Sequence, residues 1–90
     1  SLENYIHRLC LIAPLSHSFT IKRKKMAGCY AMCDLIKGRF IITIAKNIST
    51  IIAQQSLLHE WAHAMAWHEK EEHGPLWGIC YARLWTAFYD

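Results

Sequence analysis

Apolar positions along the chain change period in a way that divides it into helical and extended stretches. From about Leu2 to Ile12, the apolar residues Tyr5, Ile6, Cys10 and Leu11 recur at helical spacing. This predicts an amphipathic helix that Pro14 stops. The next thirty or so residues predict three strands, Phe19 to Lys25, Gly28 to Ile36 and Arg39 to Ala45. Lys37-Gly38 forms the two-residue hairpin turn between the last two, where glycine can take positive φ. Phe40 to Ile44 is apolar on both faces, the pattern of a strand covered on more than one side.

Asn47, Ser49 and Thr50 offer helix-start chemistry, and no Gly or Pro follows until Gly74. A long helix is expected from about Thr50 to Lys70. At 100° per residue its apolar side chains, among them Ile51, Leu57, Leu58, Trp61 and Met65, surround the axis, as in a buried central helix. His73-Gly74-Pro75 breaks it, and Pro75 suits the first position of a new helix running to about Phe88. Trp77, Cys80, Tyr81, Leu84, Trp85 and Phe88 would form its packed face. The expected architecture is one α+β domain over residues 1–90, with a three-stranded, mainly antiparallel sheet.

Composition fits this picture. The chain is 53% hydrophobic and 19% charged, which suits a compact globular domain rather than a disordered one. Ninety residues bury only about 60 to 65% of their unfolded surface, so a bound metal would add useful stability. Uninterrupted apolar stretches such as Phe40 to Ile42 fall far short of the roughly 18 residues that cross a bilayer. Glu3, His7 and Arg8 among the first apolar positions suit an amphipathic helix rather than the core of a signal peptide. Cys10, Cys29, Cys33 and Cys80 lack Cys-x-x-Cys spacing, which argues against a zinc ribbon. Cys29 and Cys33, four apart on one expected strand, would lie about 13 Å apart, too far to bridge. Buried reduced thiols are the expectation, and with them a cytoplasmic setting. The net charge of +3 is concentrated in Lys22, Arg23, Lys24 and Lys25, a run that suits a solvated strand face or a contact with nucleic acid or an acidic protein.

The chemistry is concentrated in His59-Glu60-Trp61-Ala62-His63, an HExxH pattern on the long helix. Two histidines four apart project from one face about 6 Å apart along the axis, so their imidazoles can converge on a metal. Glu60 projects about 60 to 100° away, able to reach water at the metal without becoming a ligand. Burying three ionisable side chains unpaired in a helix this apolar would cost several kcal/mol, and a metal with its water accounts for all three. Zinc in hydrolytic sites takes three protein ligands, so a third is required. His68 would project about 180° from His59, whereas His73, beyond the helix end, can be turned back by the Gly74 break. A helix-capping role for His73, or an oxygen ligand from Glu69, Glu71 or Glu72, are the alternatives.

Leu58-His59-Glu60-Trp61-Ala62-His63-Ala64, followed by His73-Gly74-Pro75-Leu76-Trp77, resembles the SprT-like (Spartan-type) zinc metalloproteases. That family shows an HExxH helix and a later His-Gly-Pro with an aromatic two positions on. The likeness extends over roughly Gly28 to Trp85. It implies a small zincin-like core, one zinc per chain held by His59, His63 and His73, and Glu60 as catalytic base. Many family members add a cysteine zinc ribbon or a nucleic-acid-binding tail. Residues 1–90 contain neither, so DNA-directed proteolysis is not implied.

The expected activity is hydrolysis of peptide bonds, with Glu60 moving the proton from water to the leaving amine. Tyr81 and Arg83 are candidate donors to the oxyanion. Two other readings compete. One is a metal-stabilised binding module using Lys22 to Lys25, and the other a structural zinc site closed by a fourth protein ligand.

Overall fold

The computed structural model describes residues 1–90 as three helices and three strands, in the order α1 (Leu2–Ile12), β1 (Ser18–Lys24), β2 (Ala31–Ile36), β3 (Arg39–Ala45), α2 (Thr50–Met65) and α3 (Pro75–Tyr89). It is an α+β domain in which α2 packs on the sheet and α1 and α3 pack against α2. The strand apolar on both faces, β3, takes the centre of the sheet, whose order is β1-β3-β2. Phe40, Ile42 and Ile44 are completely buried there, while β1 and β2 form the edges.

The sheet is mixed rather than mainly antiparallel. β2 pairs antiparallel with β3 across the hairpin, with Leu35 opposite Phe40, but β1 pairs parallel with β3, with Phe19 opposite Phe40. The connection between β1 and β2 is long enough to step over one strand width, leaving a place that β3 later fills. Two bonds secure the crossing: Ala45 N–H donates to the Tyr30 carbonyl at 2.8 Å, and Lys46 N–H to that of Lys24 at 3.1 Å. β2 begins at Ala31 rather than Gly28, so Cys29 lies in the crossing. Lys37 (φ 50°) and Gly38 (φ 76°) make the tight turn with positive φ at both positions, the combination that matches strand twist.

Helix α2 lies against the sheet and is the core of the domain. Leu57, Leu58 and Trp61 are fully buried on it, each such side chain contributing about 1.5 to 3 kcal/mol. Burial does not run all the way round, since Ile51 is 65% exposed. The Trp61 indole donates to the Ala13 carbonyl at 2.8 Å, fastening α2 to the end of α1, and Phe19 of β1 meets its ring edge-on. At the far end, Arg8 lies over the Phe88 ring and donates to the Ala87 carbonyl, joining α1 to α3. No helix is long and apolar enough to cross a membrane.

The central helix ends at Met65, five residues before the expected Lys70. Acidic side chains at a helix C-terminus oppose its dipole, and Glu69, Glu71 and Glu72 stand where the last turn would be. Trp67 instead packs edge-on against Phe40, at 5.5 Å between ring centres. Glu69 turns toward α3. Tertiary contacts therefore outweigh the helical propensity of this stretch.

Candidate metal centre

His59 and His63 occupy successive turns of α2, and the loop between α2 and α3 delivers His73 to the same point. The three Nε2 atoms form a triangle with all sides 3.2 Å. Each such nitrogen offers either one proton or one lone pair in its ring plane, so three converging rings cannot satisfy one another. One ion at the centre of convergence satisfies all three. These histidines are close enough to hold a metal ion and are the one group of three potential ligands so arranged. His59 and His63 have pKa values below the ordinary histidine range, first because of burial and then because neighbouring histidines repel a proton. Neutral rings present the lone pairs that metal ligation needs.

Two features place His73. Glu69 accepts from the backbone N–H of Leu76 at 2.8 Å and of Trp77 at 3.0 Å, capping the start of α3, where Gly74 offers no side chain. Gly74 makes room for that carboxylate: a Cβ there would come within 2.7 to 2.9 Å of its three terminal atoms. The glycine is required by this close approach, not by φ, which is an ordinary −76°. Trp77 then packs against all three imidazoles, with ring centres 4.9, 5.3 and 4.7 Å from those of His59, His63 and His73. Its indole N–H donates to the His59 carbonyl at 3.3 Å. Cap, glycine and tryptophan together orient the three histidines.

Glu60 is 9% exposed and lines the two clefts that flank the histidines. Burial, with smaller repulsions from Glu72 and Asp34, pushes its carboxyl up to about 7. A cation held by the histidine triad would oppose that push. The first cleft is about 370 Å³, between the start of β2, the first half of α2 and Tyr81 of α3. The second, about 400 Å³, holds Met32, Cys33, Trp67 and Glu72. Desolvation holds the Tyr81 hydroxyl above its usual pKa, and its ring stands 5.6 Å from that of His59.

The structure brings His59, Glu60, His63, His73 and Tyr81 together. Arg83, exposed on α3, lines neither cleft. Of the alternative oxygen donors, Glu69 is engaged as a cap, Glu72 borders the second cleft, and Glu71 is exposed. Lys22, Arg23, Lys24 and Lys25 are all exposed, and Arg23 donates to the Ala45 carbonyl at 3.0 Å. The four thiols are free as expected, yet only Cys80 is buried; Cys10 and Cys29 are exposed because helix α1 turns Cys10 outward and the β1–β2 crossing is a surface loop. Sequence reasoning missed Tyr30 and the capping role of Glu69. Glu69 carried a signal, an acid shortly before a Gly-Pro helix start with no capping side chain of its own.

No protein-family model, curated protein or solved structure matches the chain.

Proposed function

We propose that the protein is a zinc-dependent metallopeptidase with His59, His63 and His73 as ligands and Glu60 as general base. The observation that carries this reading is the three-nitrogen triangle with a carboxylate beside it that is not a ligand. Nitrogens 3.2 Å apart on His59, His63 and His73 are spaced so that they would hold one zinc ion together, leaving a position open to water. Three imidazoles with no fourth protein donor in the group are the donor set of a catalytic rather than a structural zinc site. The likeness of these residues to the SprT-like metalloproteases supports the same assignment.

When bound, zinc supplies Lewis acidity, polarising a carbonyl and bringing the pKa of water near 7. Glu60 takes the proton from the attacking water and carries it to the leaving amine. Its exposure to both clefts lets one carboxylate serve both transfers. The Tyr81 hydroxyl, on the wall of the first cleft, is the donor available to the oxyanion. β2 has a partner on one side only and contributes Ala31 to both clefts, so an extended peptide can add to its free edge with its carbonyl at the histidines.

The test is turnover of an unstructured protein substrate by zinc-loaded wild type and Glu60→Gln. The variant is expected to keep one zinc per chain while losing activity. Undiminished turnover, or failure of the wild type to retain zinc, overturns the reading.

A further inference from the structure

The two clefts flanking Glu60 differ in chemistry. The second contains the carboxylate of Glu72 and the thiol of Cys33. The first contains no charged side chain beyond His59 and Glu60, and its walls are Tyr30, Ile52 and Tyr81, with the neutral polar groups of Gln55 and Ser56. At about 370 Å³ it stands near the lower end of ligand pockets, roughly 300 to 1,000 Å³, with room for one large side chain.

Tyr30 distinguishes this cleft further. Every other phenylalanine, tryptophan and tyrosine in the chain packs against another aromatic ring. Tyr30 has no such partner and is 57% exposed, although its backbone carbonyl is held by Ala45. It is an exposed, amphipathic ring lining the cleft, with its backbone anchored to β3, the kind of surface that recognition uses.

Charge excludes two classes of occupant. A carboxylate entering the cleft meets Glu60 with like charge and is desolvated against Tyr30 and Ile52, which offer it no opposite charge. An ammonium or guanidinium entering it would pair with Glu60 and withdraw the base from proton transfer. Productive occupancy is therefore neutral.

We infer that the Tyr30–Ile52–Tyr81 cleft is a specificity pocket that takes one bulky uncharged side chain, aromatic or branched aliphatic, from the residue next to the scissile bond. This inference rests on the peptidase reading. It assigns substrate selection to Tyr30 and Ile52.

The experiment scans Phe, Leu, Lys and Asp at each position flanking the cleaved bond of one peptide, using zinc-loaded wild type, Tyr30→Ala and Ile52→Lys. Wild type is expected to favour Phe and Leu at one of the two positions by at least about tenfold in kcat/KM. Tyr30→Ala should narrow that ratio, and Ile52→Lys should raise the relative rate of the Asp peptide. A wild-type preference for Asp or Lys, equal rates throughout, or a preference unmoved by both variants overturns the pocket. In parallel, hydroxamates bearing a benzyl or a carboxymethyl side chain are titrated into zinc-loaded Glu60→Gln, where binding needs no turnover. Tighter binding of the benzyl compound, weakened by Tyr30→Ala, supports the pocket even if no peptide is cleaved, an outcome in which the peptidase reading alone fails. Equal binding of both compounds alongside selective cleavage overturns the pocket and leaves the peptidase reading standing.

Discussion

The two edges of the sheet are both open to solvent, yet they differ in chemistry. β1 presents Lys22, Arg23 and Lys24 in succession, whereas β2 carries Asp34 as its one charged residue and exposes Met32 and Ile36. Lysines along an edge discourage another strand from pairing there, since docking would bury or crowd their charges. The β2 edge lacks that protection and borders the histidines and Glu60. An edge left open beside the histidine triangle is suited to receive an extended chain, and an edge guarded by cations is suited to refuse one. The difference teaches that the basic run of β1 can be explained by protection of the fold, without a nucleic-acid partner.

The comparison can be broken most sharply at the β2 side. Glu60→Gln should lower kcat by about 10² to 10⁴ with zinc content unchanged, measured by peptide turnover and elemental analysis. Next in size is Gly74→Ala, whose methyl group would displace the Glu69 carboxylate and loosen His73. Zinc affinity, read by competition with a chelator, should fall about 10- to 100-fold, the usual effect of disturbing the support of a ligand. An unchanged affinity would show that the Glu69 cap does not hold the ligand.

A smaller effect separates Cys33, inside the site cleft, from Cys29 in the β1–β2 crossing. Burial, then repulsion by Glu60 and Asp34, pushes the Cys33 thiol up to about 12, so at pH 8 it holds little thiolate. Maleimide should label Cys29 at least about tenfold faster than Cys33, as followed by peptide mass mapping. The smallest expected effect is at the β1 edge. Lys22→Gln with Lys24→Gln should leave peptide kcat/KM within about twofold, because both side chains lie on the opposite edge from the site. A large loss would tie the basic edge to substrate binding and undo the contrast.

Helix and strand positions were largely legible in the pattern, because local periodicity and Gly-Pro punctuation act through near neighbours. Pro75 opened α3 as its fixed φ allows, and Lys37-Gly38 made the hairpin its residues suit. The parallel pairing of β1 was not legible. A connection of this length permits either a hairpin or a step across one strand, and the choice depends on β3 filling the gap. The end of α2 was misplaced for a related reason. Glu69 leaves the helix for the amides of Leu76 and Trp77, a competition that no window around Glu69 reveals. Within the site, the four-residue spacing of His59 and His63 fixed their common face, while the part played by Trp77 required knowing how α3 packs on α2.

By itself the amino-acid sequence determined which side chains are available for chemistry and the local geometry of those on one element. Two histidines one helical turn apart must share a face, and Glu60 between them must project to one side. Only the tertiary structure decided that His73 closes the triangle, that Glu69 and Gly74 hold it there, and that a cleft walled by Ile52, Tyr81 and an unpartnered Tyr30 opens beside Glu60. Periodicity is a property of neighbours along the chain. Convergence of residues ten or thirty positions apart is set by packing against the shared core, where many small contacts act together.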